Sequence, residues 1–569
     1  RIGRPGGGLT ASEEEACLYW QWKLYAIYVR VIKDYAAVFS FGDRWEASGA
    51  DDPSSLVYSG DSSALHYRVN SKARPEVYNI VTDVLNNSRS DQWEELPTGL
   101  GLKTSWNLLW TWSKPHIQYS SLLFWQKVNH FPNSRELTRK DLLNKHIARF
   151  MAPGGRLREE FHIMPQTFVL PHEFTLFVSA FASQGTKCCL NKRMRGWSDM
   201  DRESTTKIDE DDEPMFGQDT AERGGGGKTK DVWIMKPVGM SRGRGIRLVD
   251  DIKNISYSEK VVVQRYIGNP LLLDGYKFDL RLYVLVTSFN RLEAFIYKEG
   301  FARLSTHLYE KGDIGNRFIH LTNSRQGRLN NFGATRDSPL CHASYSEAGG
   351  TKTTLSYLWR RLAADGVDVG ELWAGICSVV VKSLVCAEGS IPNQPNSFEL
   401  FGYDVLIDDR LRPWLIEVNS SPSMTRENHV DRQVKEAVIY DTIHLVNPLP
   451  FDRQKLAEVL GRRLSETRES KARPFKQRPQ YGSGPRDQHH PSATPVYPSS
   501  TYISQNEDNL NRDLNHILCG RRPRKVGELP QQMGRFVRLC PGTAIHRHAK
   551  TLRRNVVRPR PGEADLDDD

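Results

Sequence analysis

The stretch that most constrains what this chain can fold into is Phe398–Met424, FELFGYDVLIDDRLRPWLIEVNSSPSM. Phe401–Ile407 and Trp414–Val418 are apolar, β-prone runs joined by the polar Asp408–Pro413, which predicts a β-hairpin. Side chains alternate across a strand. Asp404 and Leu406 therefore share one face, and Tyr403, Val405 and Ile407 the other. On the second strand Glu417 and Asn419 point together while Ile416 and Val418 point away. A turn centred between Arg410 and Leu411 sets Asp404 opposite Glu417, with Cβ atoms about 5 Å apart. Two facing carboxylates repel unless a cation lies between them. Asp404, Glu417 and Asn419 offer oxygen donors suited to Mg²⁺, which takes one or two carboxylates and completes its octahedron with water and phosphate. The bland alternative is a solvated polar face on a half-buried hairpin.

A chain of 569 residues holds two or three packed units, and 78 Lys+Arg against 68 Asp+Glu give a net charge of +10. That excess favours an acidic partner without choosing among nucleic acid, membrane surface and acidic protein tail. The 8 cysteines form no CxxC pair, which points to free thiols in a reducing compartment and no zinc site. Ala16–Phe41 carries Lys23, Arg30, Lys33 and Asp34, against a membrane span or leader. Gly224–Gly227 with Lys228 and Thr229 imitates a P-loop, but Glu222 stands where its first glycine belongs and no apolar strand precedes it.

Along the chain, 1–63 reads as an appended, poorly ordered segment. Helical spacing marks Val77–Leu85, and Trp106–Trp112 reads as a buried aromatic strand or short helix. Thr138 is the expected cap of a helix bearing Leu142, Leu143, Ile147 and Phe150, with Arg139 and Lys140 as surface. Met164–Phe181 is a strand–helix unit. The hydrophilic stretch 193–230 reads as a disordered loop. Alternating strands and helices fill Asp231–Asn447, with Leu355–Leu362 and Leu372–Leu384 as core-facing helices. From Asp452 onward the composition predicts a mostly disordered basic tail with one short helix near Leu510–Leu518.

Three further stretches bear on chemistry. Val232–Val249 places Lys236 at a strand end ahead of a glycine-rich turn through Arg242, Gly243, Arg244 and Gly245, and such turns let backbone N–H groups approach polyphosphate. Val261–Ile267 is a short strand ending in Gln264, Arg265, Tyr266 and Ile267; it is either a nucleotide edge or a plain core strand. In Lys277–Val286, Asp279, Arg281 and Tyr283 alternate with Leu280, Leu282 and Val284. Burying those charges demands a pair or a ligand. Arg303 is suited to a carboxylate, and Thr322 and Asn323 to phosphate or metal-bound water.

Taken in order, KPxxxSxGxGI from Lys236, QRYI from Gln264, KFDLRxYVLV from Lys277, HLTN from His320 and GYDVLID…PWLIEVNSSPS from Gly402 resemble the tubulin–tyrosine-ligase-like family over roughly Leu65–Asn447. The resemblance implies an α/β (α+β) ATP-grasp fold with an N-terminal subdomain (64–163), a central one (164–275, with the insert 193–230) and a C-terminal one (276–450), followed by the tail 451–569. It implies ATP held by Lys236, Arg242, Gly243, Gln264, Arg265, Tyr266, Ile267, Lys277, Phe278, Asp279, Thr322 and Asn323. Asp404, Glu417 and Asn419 match the magnesium ligands, and Lys236, Arg281 and Glu417 are the catalytic group. Arg303 grips the incoming amino acid's carboxylate, with Lys352 and Arg328 as further substrate residues; Ser324–Arg328 departs from the family pattern, and Arg328 replaces a lysine. The implied reaction is ATP-dependent ligation through an acyl phosphate: a tubulin polyglutamylase joining free glutamate to acidic tubulin tails in the cytoplasm, cytoskeleton, or cilium and axoneme, without nucleic acid or membrane insertion. Glycine or tyrosine as the added residue, and an inactive microtubule-binding module, are the alternatives.

Overall fold

The computed structural model describes the strands 45–47 and 56–58, most of 64–182, 232–322 and 340–462, and residues 509–556. The expected disorder of 193–230 lies outside the described residues, as does nearly all of 1–63.

Within 64–163 the chain forms a small parallel sheet. Strands β1 (Leu65–Asn70), β2 (Trp93–Glu95), β3 (Leu108–Thr111) and β4 (Lys127–Val128) run in the order β2-β1-β3-β4. Helix α1 (Pro75–Asn86) follows β1 and buries Val77, Ile80, Val81, Val84 and Leu85. The aromatic run is thus a strand. Helices α2 (Arg135–Thr138) and α3 (Lys140–Met151) carry the chain onward. Thr138 ends α2 instead of capping α3, because Arg139 alone separates the helices; Arg139 occupies the N-cap, its side chain bonding the Asp141 carboxylate and no backbone N–H of the first turn. Leu143, Ile147 and Phe150 are buried as expected.

A four-stranded antiparallel sheet follows, β5 (Thr167–Leu170), β6 (Trp233–Pro237), β7 (Arg247–Val249) and β8 (Val261–Arg265), in the order β5-β8-β6-β7. Alternation sorts its faces. Phe168, Trp233, Met235, Val261 and Val263 pack against Phe177 of α4 (Phe174–Ala182), leaving Lys236 and Gln264 on the opposite side.

The largest described sheet is organised by β9 (Tyr276–Ser288). Along one edge it pairs first with β11 (Phe301–Leu304) and then with β10 (Glu293–Tyr297). Strand β12 (Lys352–Thr354) extends the sheet beyond β11. Helices α5 (Leu355–Ala364) and α6 (Val369–Ala387) follow, then the hairpin β13 (Glu399–Ile407) and β14 (Pro413–Asn419), whose first strand takes the other edge of β9. The even-numbered residues Leu280, Leu282, Val284 and Val286 pack with Ile376, Val380 and Leu384 of α6. Tyr283 and Leu285 face the opposite core with Val434, Val438 and Ile439 of α7 (His429–Val446). Val369–Ser390 has the length and apolarity of a membrane span, but it is this core helix.

The expectation of a mostly disordered tail is corrected beyond residue 509. A helix spans 511–517, where the one short helix is expected. Strand β15 (Phe536–Cys540) extends the large sheet by pairing with β10, and α8 (Ala544–Arg554) buries Ala549 and Leu552 in the main core. Fully buried Glu293 is held by Arg524 Nη1 at 2.7 Å and by the Gly527 amide at 2.8 Å. Lys550 and Arg553 both bond Glu388. In these anchors the positive side chains neutralise carboxylates buried by the core.

Candidate active site

A cleft of 1160 Å³ is lined by residues between 112 and 140, 165 and 267, and 277 and 427, and the strand patterns dictate its lining. On β9 the odd-numbered residues face the α7 core at Tyr283 and Leu285; where that cover ends, the same face carries Lys277, Asp279 and Arg281 into the cleft. Phe278, expected beside them as a nucleotide residue, points its side chain the other way, 1% exposed in the main core.

The hairpin delivers its acidic pair by a route the sequence did not suggest. Val405 pairs with Leu415 and Ile407 with Pro413, so the turn centres on Arg410 and, unbroken, would misalign the carboxylates. A bulge between Asp404 and Val405 shifts the register, and Asp404 then faces Glu417 and Gly402 faces Asn419. A bulge adds one unpaired residue and re-aims the side chains beyond it. Here that residue is Ile416, which lines the cleft beside Glu417 instead of pointing away.

Charges in the cleft are paired in a lattice. Arg281 Nε donates to Asp404 Oδ1 at 2.6 Å and Nη2 to Oδ2 at 3.1 Å. Arg303 donates through Nε and Nη2 to both oxygens of Asp279 at 2.6 and 2.7 Å, and through Nη2 to Asp404 Oδ2 at 2.9 Å. Thr322 Oγ1 donates to Asp279 Oδ2 at 2.6 Å. Burial alone would raise the Asp404 carboxyl, but the two guanidinium groups outweigh it and hold it below the usual carboxylate range. Arg303, conversely, is raised well above its ordinary value by Asp279 and Asp404 despite its burial.

Two lysines stand apart. Lys236 Nζ donates to Gln264 Oε1 at 2.7 Å, and Lys277 Nζ to the Tyr266 hydroxyl at 2.8 Å and the His320 carbonyl at 3.1 Å. Their partners are neutral. Desolvation therefore pushes Lys236 down to about 8 and Lys277 to about 7, Glu417 and Asp279 respectively offsetting part of the shift. A buried ammonium without full counter-charge is a waiting site for an anion.

Arg265, Tyr266, Ile267 and Asn419 also line the cleft. Arg242, Gly243, Asn323 and Arg328 lie outside the described residues. Lys352 is buried behind the lining, on Glu427 at 3.2 Å and Asp431 at 2.9 Å. Sequence reasoning missed Lys140, whose ammonium lies 3.0 Å from Glu417 Oε2; its position at the first turn of α3, beside residues of surface type, gave no signal of burial. It also missed Glu427, which lies in a loop.

The donors suit a hard cation. Asp404 is kept ionised, Glu417 is partly exposed, and Asn419 Nδ2 donates to Glu417 Oε1 at 3.3 Å, which turns the amide's oxygen outward from that contact. Among the described residues no group of three or more His, Cys, Asp or Glu side chains is placed to hold a metal. Two carboxylates plus an amide fit an ion whose remaining ligands come from substrate phosphate.

Residues 117–456 match the tubulin-tyrosine ligase family. The chain is 37% identical over 355 residues to tubulin polyglutamylase TTLL5 of Mus musculus, covering 60% of this chain and 23% of that protein. It is 35% identical over 342 residues to probable tubulin polyglutamylase TTLL2 of Homo sapiens (60% of this chain, 50% of that one) and 30% identical over 394 residues to tubulin polyglutamylase TTLL6 of Mus musculus (66% and 41%). It thus spans between about a quarter and a half of the length of these relatives. The described architecture is mixed α/β with several sheets, for which the family implies the ATP-grasp fold and ATP as nucleotide. More than half of the sequence lies within the matched region, and the chain belongs to the tubulin-tyrosine ligase family.

Proposed function

We infer that the chain is an ATP-dependent carboxylate–amine ligase that adds glutamate to glutamate side chains in the acidic tails of tubulin. The observation that carries this reading is the meeting, in one cleft, of two desolvated lysines with the Asp404/Glu417/Asn419 hairpin. A triphosphate supplies the counter-charge that Lys236 and Lys277 lack, and the excess of basic residues suits an acidic acceptor. The names of the relatives supply the amino acid and the protein acceptor.

In this reading Lys236, Lys277, Asp279, Thr322 and the edge Gln264–Ile267 hold ATP, joined by Arg242, Gly243 and Asn323 on the grounds of sequence resemblance. Asp404, Glu417 and Asn419 would hold Mg²⁺, which would supply positive charge against that of the nucleotide phosphates. Arg281 and Arg303 keep Asp404 ionised and fixed. Lys236 stabilises charge on the transferring phosphoryl group as an acceptor carboxylate oxygen attacks the γ-phosphorus and ADP departs. The amino group of the incoming glutamate, whose carboxylates sequence resemblance assigns to Arg303, Lys352 and Arg328, then attacks the acyl carbon. Phosphate leaves, the nitrogen loses its proton, and an amide remains. The place of action is the cytoplasmic microtubule cytoskeleton, axonemes included.

The test is incubation with microtubules, ATP and radiolabelled glutamate, glycine or tyrosine in parallel. Label from glutamate in tubulin is expected. Label from glycine or tyrosine alone overturns the amino acid, and no label from any of the three overturns the ligase.

A further inference from the structure

Arg303 and Lys352 are Cα partners on β11 and β12, and neither has an idle charge. Arg303 is spent on Asp279 and Asp404. The Lys352 ammonium is shared between Glu427 Oε2 at 3.2 Å and Asp431 Oδ2 at 2.9 Å. Lys435 holds the other oxygen of Asp431 at 2.8 Å, and the Glu427 amide donates to Asp431 Oδ2 at 3.2 Å. Two ammonium groups and two carboxylates thus close a neutral cluster.

The members differ in freedom. The side chains of Asp431, Lys435 and Lys352 are 0%, 5% and 8% exposed, and moving any of them strands an opposite charge in the interior. The Glu427 side chain is 20% exposed and is the only one of the four that lines the cleft. An amino acid arriving with a side-chain carboxylate finds Lys352 already neutralised, and screened from the cleft by Glu427. To reach that ammonium it must take the place of Glu427, whose carboxylate can turn outward into water.

We propose that Glu427 is a resident stand-in for the side-chain carboxylate of the incoming amino acid, displaced from Lys352 on binding, and that it sets the affinity for acidic over neutral amino acids. This rests on the glutamate-ligase reading above and on Lys352 as a substrate residue. Glu427 acts through Lys352 and is a positioning residue. Because displacement costs the incoming carboxylate part of its gain, removing the competitor favours glutamate and leaves a neutral amino acid of the same shape unaffected.

The experiment compares the full chain with Glu427→Gln and Glu427→Asp, using ATP, Mg²⁺ and an acidic acceptor peptide. Each is assayed for the KM and kcat of glutamate and for inhibition by glutamine, the neutral isostere. Glu427→Gln is expected to lower the KM for glutamate about fivefold, as for loss of a partly exposed ion pair. It should leave kcat within about twofold and glutamine inhibition unchanged. Glu427→Asp should keep a KM nearer to that of the wild type. A glutamate KM that is unchanged or raised in Glu427→Gln, or an equal gain for glutamine, overturns the assignment. A wild-type chain that incorporates no glutamate overturns the reaction itself, and this inference with it.

Discussion

Asp404 and Glu417 are Cα partners across the β13–β14 hairpin only because a bulge at Ile416 corrects the register by one residue. A one-residue slip moves every following side chain to the other face of a strand. The device therefore lets Leu415 and Val418 remain buried while Ile416, Glu417 and Asn419 all reach the cleft. Deleting Ile416 should leave a regular ladder in which the pairing of Val405 with Leu415 still sets Glu417 opposite Asp404 on the cleft face. We expect ligation to survive with folded far-UV circular dichroism, because only an apolar side chain of the cleft wall is lost; abolished ligation in this variant would contradict the register.

The two carboxylates of that pair should respond differently to neutralisation. Glu417 is 28% exposed and its partner is Lys140, so Glu417→Gln should cost less than about 1 kcal/mol of stability. Asp404→Asn leaves Arg281 and Arg303 without half of their counter-charge in a buried setting and should cost about 3 kcal/mol. Urea unfolding of both variants measures the contrast, while ligation should fall at least about 100-fold in each. Equal stability losses would contradict the charge lattice.

Nucleotide binding should take up protons. Lys236 at about 8 and Lys277 at about 7 are partly neutral near pH 7.5, and a nearby triphosphate raises both. Calorimetry in buffers of different ionisation enthalpy should show net uptake at pH 7.5, reduced in Lys277→Met. The sign for stability follows from the same depression. Between the folded values and the ordinary lysine value of about 10.5 the unfolded chain binds more protons, so these groups make the ligand-free protein gain stability as pH rises through that window. Proton release on binding would contradict the assignment.

The C-terminal strap should be structural. Arg524→Met leaves Glu293 without its cation at 0% exposure, at a cost of about 3 kcal/mol. A chain ending before residue 509 also uncovers the face that Leu539, Cys540, Ala549 and Leu552 bury, and should be recovered mainly as aggregate. Thermal unfolding of the substitution, and soluble yield of the truncation, check this.

Much of the site was legible because its chemistry repeats with period two. Asp279 and Arg281 sit in an apolar strand where unpaired charge is costly, and the structure pairs both across β9 with Arg303 and Asp404. The core helices Leu355–Leu362 and Leu372–Leu384 were equally plain from their spacing. What stayed hidden has physical reasons. A bulge leaves no mark in composition, so Ile416 was read as pointing away. Lys140 and Glu427 look like surface residues, and only tertiary contact brings them to Glu417 and Lys352. In the tail, FVRLC is too short to show a period, and the apolar positions Ala549 and Leu552 of α8 are outnumbered by arginine, lysine and histidine.

In the ligase proposed above, one cleft couples ATP cleavage to joining an amino acid to a protein carboxylate, and the hairpin pair is indispensable to both. The most direct measurement is the ratio of ADP released to glutamate incorporated into an acidic tubulin tail peptide, for the wild type and for Glu417→Gln. The account predicts one ADP per glutamate in the wild type, and neither product in the variant. ADP release without incorporation, or undiminished incorporation by Glu417→Gln, would contradict it.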